Sequence, residues 1–495
     1  MTEVPGALST PATVEEMAVP RRTLAGFARL DPEGFEASGA RIAEFRRAFE
    51  GRAIWHVSRS SGDSVAEMLR SIVGYTRDGG VDAHWLVASA DHGFHTLTRR
   101  LYHRLYGSPG DGGPLGEDEA ALLERVGAEQ ARELTARIRP EDIVFLHDTP
   151  GLVRPVKETG ARAVWRCHLG MEDPNREARS AWGFLWPFVS EADAFVFSRR
   201  VYRWDQVPEE RFHVLRPGID PFSPKNELLD DDLVAAVFDQ IGLGASGTAT
   251  APTFRRSDGT PQRLSGVAVT DQEAPVPADA PVVAQISGWE RTKGQLDVLE
   301  AFAGHCREGG PHLLLVGPAV ADRPSGSEEA EVLAELRSRR AELDPGVAAR
   351  IHLVQLPLSD LEENAVMVNA IQRRADVVVH AALQEGFGFS VTEAMLKRAA
   401  VVATRTGGLA VQLVDGESGL HVEPGDREAI GGAVARLLAD QQLRERLGEA
   451  ARERVVERYL VFSHLSAYVE LIENLAAPAS GGSRLPPRRS PGTAG

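Results

Sequence analysis

Between Gln384 and Ala394 the chain reads QEGFGFSVTEA, in which two carboxylates, Glu385 and Glu393, bracket two glycines, Gly386 and Gly388. The run follows ADVVVHAAL, which predicts a buried strand, and opens a helix at about Ser390. Glycines let a backbone approach a ligand closely, and the unpaired N–H groups of a helix start attract phosphate. Carboxylates suit the vicinal hydroxyls of a ribose or another sugar. The pattern points to a phosphorylated sugar, although a glycine turn flanked by two exposed glutamates would look the same in isolation.

A second cluster, QISGWERTKGQLDVLEAF (Gln285–Phe302), places Arg291 and Lys293 after a strand and immediately before an amphipathic helix. Cations oppose the dipole of a helix start, so an anion is the better reason for them than the helix itself. In the first half, VWRCHLG ends a strand on His168. LHDTPGLV ends the preceding one on His147 and Asp148, both expected to face a cleft. The loop SRSSGDS (Ser58–Ser64) carries Gly62 and Asp63 between the first strand and the first helix.

These residues need a scaffold that brings loop ends together. Short apolar bursts at Ile54–Val57, Ala83–Val87, DIVFLHD, RAVWRCHL and DAFVFSR alternate with helical stretches. A second series follows: PVVAQISGW, HLLLVGPAV, RIHLVQLP, ADVVVHAAL, AVVATRTGG and GLHVEPGD. Buried strands alternating with helices predict parallel sheets, hence an α/β protein of two Rossmann-like domains facing across a cleft. Such sheets bind ligands outside the carboxyl ends of their strands, where all the residues above lie. The expected divisions are an irregular arm over 1–40, a first domain over 41–225, and a linker with a surface insertion over 226–280. A second domain over 281–455, a C-terminal helix over 456–475 and a disordered tail over 476–495 complete the chain. The Gly-, Ser-, Thr- and Pro-rich stretch after Leu243 suggests the insertion.

Composition narrows the function. A net charge of −16 disfavours nucleic acid as a bulk partner. No apolar run spans a membrane and no secretory signal is legible, while two cysteines argue against a disulfide framework. A cytoplasmic enzyme acting on small molecules is the expectation; a homodimer remains open.

The paired-glutamate run, together with TRTGGLAVQLVDGESGLHVEPGD (Thr404–Asp426), resembles the retaining GT-B glycosyltransferases of the sucrose and trehalose synthase family. VAEMLRSIV, FHTLTRRLYHRLYG, WGFLWPFVSEADAFVFS and PGIDPFSPKN extend the resemblance toward glycosyl-transferring trehalose synthases and the related retaining trehalose phosphorylases. The resemblance implies that Glu393 holds ribose hydroxyls. It gives Glu385 and the backbone of Gly386, Phe387, Gly388 and Phe389 the transferred sugar and phosphates, Lys293 the departing diphosphate, and His168 the sugar. The family's donor-loop arginine falls on Gly288, and Arg291 is the expected substitute. Gly62 and Asp63 occupy the family's glycine-rich loop, where this chain departs from a triple glycine. Asp148-Thr149-Pro150 and His168-Leu169-Gly170 also depart from the subfamily pattern, so donor chemistry is better supported than the acceptor.

The implied reaction moves glucose from an NDP-glucose to glucose with retention, giving trehalose. No tightly bound cofactor or metal is expected, with Mg2+ a stimulant at most. Three alternatives stay open: a trehalose phosphorylase, a transferase to another acceptor, and a non-catalytic nucleotide-sugar-binding protein.

Overall fold

The structure, a computed structural model, describes residues 12–30, 32–244, 251–306, 310–321 and 327–476. Its first sheet comprises β1 (Thr13–Glu16), β2 (Ala53–Ser58), β3 (Asp82–Ser89), β4 (Ile143–His147), β5 (Arg162–Arg166), β6 (Ala194–Phe197) and β7 (Phe212–Val214). They lie in the order β1-β3-β2-β4-β5-β6-β7, with only β1 antiparallel. Every residue of β2, β4 and β6 is buried, because helices cover both faces of the sheet.

A small hairpin, β8 (Thr253–Arg255) and β9 (Pro261–Arg263), precedes the second sheet. That sheet comprises β10 (Val269–Asp271), β11 (Val282–Ile286), β12 (His312–Pro318), β13 (Ile351–Leu356), β14 (Val377–His380), β15 (Ala400–Thr404) and β16 (Leu420–Val422). The order is β10-β13-β12-β11-β14-β15-β16, with β10 alone antiparallel.

In each sheet the strand order reverses once. β2 lies between β3 and β4, and β11 lies between β12 and β14. Crevices for ligands open at such reversals, beyond the carboxyl ends of the strands. The loops following β2, β4, β11 and β14 are therefore the ones the fold sets aside for binding.

Four expected boundaries need correction. The arm over 1–40 is not irregular where described. Thr13–Glu16 pairs with β3, and a helix runs over Pro32–Ala48. Its signal was weak because β1 buries Val14 alone, and the helix has only a shallow apolar face. The stretch 226–280 holds a helix, Asp231–Gln240, and the β8–β9 hairpin, and contributes β10 to the second sheet. The second domain therefore begins before Pro281. Phe254, Leu264 and Val276 are buried about ten residues apart, too sparse to show through the polar composition. Residues 245–250 of the expected insertion lie outside the described residues.

The C-terminal helical run is also broken. A helix over Gln441–Arg458 ends at Tyr459, the chain crosses back beside Ile219, and a second helix spans Leu465–Ala476. Val469, Leu471 and Ile472 of that last helix pack into the core of the first sheet with Ile54 and Phe145. The expected tail beyond Ala476 lies outside the described residues. No described helix is long and apolar enough to cross a membrane.

Candidate active site

The two crevices meet in one cleft of about 510 Å³, lined from the first domain by Arg59, Asp63, Asp148 and His168 and from the second by Lys293, Glu385 and Glu393. That volume suits a ligand of nucleotide-sugar size. The domains touch around it. The Tyr202 hydroxyl donates to the Gly386 carbonyl at 3.2 Å, and Arg199 Nη1 donates to the Gly407 carbonyl at 2.7 Å.

Lys293 reaches the cleft because its loop is pinned on both sides. The Gln285 amide donates to the Lys293 carbonyl at 2.7 Å, and the Leu383 N–H to the Thr292 carbonyl at 2.7 Å. Gly294 closes this loop with φ +67°, and a Cβ there would stand 2.1 Å from the Ala381 carbonyl oxygen. Glycine is thus required twice over, by backbone conformation and by space.

Lys293 Nζ donates to Glu385 Oε2 at 3.0 Å, and His380 Nε2 donates to the same oxygen at 2.9 Å. Burial opposes ionisation of Glu385, but the Lys293 ammonium and the His380 hydrogen bond outweigh it and hold its pKa down to about 2. Burial would also lower the Lys293 pKa; the Glu385 carboxylate more than offsets this and pushes it up. Both groups are charged at neutral pH. A carboxylate so stabilised is a weak base and a weak nucleophile.

Just beyond this pair, Gly388 adopts φ +89° as the N-cap of the helix Phe389–Leu396. Gly388, Phe387, Phe389 and Ser390 line the cleft, so the open end of the helix faces it. Glu393 lies one turn deeper, 3% exposed, with Lys225 Nζ 3.7 Å from its Oε1. Burial raises the Glu393 pKa, and Lys225 offsets this in part.

On the opposite wall His168 and Asp148 line the cleft. Asp148 holds φ +52° and accepts the His168 N–H at 3.2 Å. Burial raises its pKa to about 6, against a partial lowering by Arg59. A carboxyl whose folded pKa is raised stabilises the fold below its unfolded pKa and loses that contribution as pH rises through the folded one. Stability should therefore fall between about pH 4 and pH 6. Asp148→Asn removes the charge and tolerates the left-handed backbone. Its unfolding free energy should match wild type near pH 4 and exceed it above pH 6, by an increment on the order of 1–3 kcal/mol that a higher melting temperature would report. Parallel melting curves for the two proteins across this range would show that the Asp148 charge is not held at a cost.

Other expected residues lie elsewhere. Arg291 points out of the cleft: it is more than half exposed and pairs with Glu335 at 2.5 Å and Glu331 at 3.6 Å. A tight 3-10 turn, Arg291–Lys293, sends the two cations to different sides of the loop. His147 does not face the cleft but lies behind His168, its Nδ1 2.8 Å from His168 Nε2. Gly62 is exposed and outside the cleft lining, while Asp63 borders the cleft and caps the helix Ser64–Asp78 by accepting the Ala66 N–H at 2.8 Å. Gly288 does line the cleft. A Cβ there would meet only the flexible Glu290 side chain, at 3.1 Å. Among the described residues no group of three or more His, Cys, Asp or Glu side chains is placed to hold a metal.

Arg59, Lys225 and His380 were not singled out in the sequence. Arg59 is the informative one. Lys293 is paired with Glu385, and Lys225 with Glu67 and Glu393. Among the described residues, Arg59 is the cleft cation without a carboxylate at ion-pair distance. Its only signal is a lone cation in a serine-rich loop after β2.

Two family models match the chain: "Trehalose synthase, N-terminal domain" over residues 56–204 and "Glycosyl transferases group 1" over 269–454. The trehalose synthase of Thermococcus litoralis is 28% identical over 427 residues, covering 85% of this chain and 90% of its own length. A trehalose phosphorylase of Grifola frondosa is 24% identical, over 84% of this chain but 56% of its own length. Among solved structures, the UDP-forming trehalose-phosphate synthase of Burkholderia xenovorans superposes with a TM-score of 0.61 at 14% identity. It aligns over 86% of this chain and 98% of its own, a likeness of fold. With a glycosyltransferase model on the second half, a trehalose synthase model on the first and relatives aligned along most of its length, the chain is a hexosyltransferase of GT-B fold that is similar to the trehalose synthases.

Proposed function

We propose that the protein transfers glucose from an NDP-glucose to glucose with retention, forming α,α-trehalose. The observation that carries this reading is the meeting of both switch-point crevices on a buried Lys293–Glu385 pair beneath an open helix start. The helix start and Lys293 suit a diphosphate, Glu385 a sugar hydroxyl, and Glu393 the ribose. The trehalose synthase and trehalose phosphorylase relatives support trehalose as the disaccharide.

Glu385 is too well stabilised to attack the anomeric carbon, which favours substitution on one face of the sugar. The bond from C1 to the phosphate oxygen breaks, and the acceptor oxygen bonds to C1 on the same side. The acceptor proton passes to the leaving phosphate oxygen. Lys293, with Arg59 from the other domain, stabilises the growing charge on the diphosphate. Closure of the cleft excludes water and protects the donor from hydrolysis.

Arg291 has no part in this account. Arg291→Ala should leave kcat/KM within about twofold of wild type, as expected for an exposed ion pair. A loss of tenfold or more in initial rates would return Arg291 to the donor site.

The function is tested by nucleotide release from ADP-, UDP- and GDP-glucose with and without glucose. Release that depends on glucose supports the proposal. Phosphate-dependent breakdown of trehalose without nucleotide would make the protein a phosphorylase, and donor binding without turnover a sensor.

A further inference from the structure

Behind His168 lies a series of groups that the reaction above leaves unused. His168 Nε2 is 2.8 Å from His147 Nδ1, His147 Nε2 is 2.9 Å from His56 Nδ1, and His56 Nε2 is 2.8 Å from the Tyr468 hydroxyl. His56 sits within β2 and His147 ends β4, while His168 follows β5. Tyr468 comes from the last helix, which returns to the first domain after the chain has left the second. The rings of His147 and His168 stack at 5.1 Å, and Phe145 stacks against both His56 and Tyr468.

Each nitrogen of His56 and His147 is committed to a neighbour in the series. A neutral imidazole has one donor and one acceptor nitrogen, so the hydrogen bonds must all run the same way. Tyr468 sets the direction. Its hydroxyl has no other hydrogen-bond partner among the described residues, so accepting from His56 would leave its own proton without a protein acceptor. Donating satisfies it. From that bond, His56 donates through Nδ1 to His147, and His147 donates through Nδ1 to His168. His168 Nε2 is then an acceptor, and its proton must sit on Nδ1.

We propose that Tyr468, His56 and His147 form a hydrogen-bonded relay that locks His168 as an Nδ1–H donor to an oxygen of the bound sugar. Tyr468, His56 and His147 are positioning residues, which act on the reaction only through His168. The surroundings keep the relay neutral. Burial first, and then Arg166, lower the pKa of His56 to about 3; burial likewise holds His147 and His168 well below the ordinary imidazole value. A neutral His168 can orient a sugar without placing a positive charge beside an anomeric carbon that itself becomes cationic. The effect on rate rests on the transferase reading; the tautomer does not.

The tautomer is read from 15N-histidine-labelled protein without substrate, with His168 assigned by its loss in His168→Gln. Wild type should show His168 protonated on Nδ1, and Tyr468→Phe should convert it to a mixture of tautomers. In the same variant kcat should fall about tenfold, the effect of one misaligned hydrogen bond at the transition state. Donor KM and melting temperature should hold. His147→Gln, whose amide can accept and donate in series, should retain most of the rate that His147→Leu loses. An Nε2-protonated His168 in wild type overturns the relay, whether or not the protein turns over trehalose. An unchanged tautomer and kcat in Tyr468→Phe would reduce Tyr468 to a packing residue, and failure of the His147 variants to fold would leave these two readouts decisive.

Discussion

Lys293→Ala is expected to lower kcat by about a hundredfold to a thousandfold while changing donor KM much less. The ammonium is fixed beside Glu385 before substrate arrives, so it needs no reorganisation as charge develops on the leaving diphosphate. A second consequence follows from the burial of the pair. Without Lys293 the Glu385 carboxylate keeps, among the described residues, the His380 hydrogen bond, and removing one partner of a buried ion pair costs about 3–5 kcal/mol. The variant should therefore melt lower at neutral pH. Combining Lys293→Met with Glu385→Gln should recover much of that stability and none of the activity. A Lys293→Ala enzyme with kcat within about threefold of wild type and a collapsed donor affinity would make Lys293 a ground-state anchor.

The second large effect concerns Arg59. A diphosphate brings more negative charge than Lys293 can meet, since Lys293 is already balanced by Glu385. Lys225 is balanced by Glu67 and Glu393, and Arg291 is paired outside the cleft. Arg59 remains, in the loop after β2, lining the same cleft as the helix start. Arg59→Ala should lower kcat/KM for the nucleotide-sugar by about 10–100-fold, the loss of one or two charge-assisted contacts to phosphate. Position 288 borders the same cleft and has only the Glu290 side chain to displace. Gly288→Arg in the Arg59→Ala background should therefore restore part of the rate. Turnover unchanged by Arg59→Ala would show that the diphosphate is held by the helix start and Lys293 alone.

Much of this architecture was legible in the sequence, for a physical reason. Strands such as β2, β4 and β14 are buried on both faces, so they appear as unbroken apolar runs. β1 and β10 lie at sheet edges and bury little, and their residues carry no comparable signal. The paired glutamates were visible because their glycines mark the turn into a helix. Direction was harder to see. Arg291 and Lys293 are two residues apart, yet one turn of 3-10 helix sends one to Glu335 and the other to Glu385. Contacts across strands were least visible. His56, His147 and His168 become neighbours only through the parallel register that sets Leu146 beside Val57 and His147 beside Arg166. No spacing along the chain encodes that alignment. Tyr468 is farther still, since it joins the series only after the chain has built the second domain and crossed back.

The most direct test of the central claim is the product itself. Purified protein given NDP-glucose and 13C-labelled glucose should release one nucleoside diphosphate for each disaccharide formed. NMR of that disaccharide should show both anomeric carbons in the α configuration and joined to each other. A product with a free reducing end would contradict glucose as an acceptor through its anomeric hydroxyl. A β linkage at the transferred sugar would contradict retention, and with it the role assigned to the Lys293–Glu385 cleft.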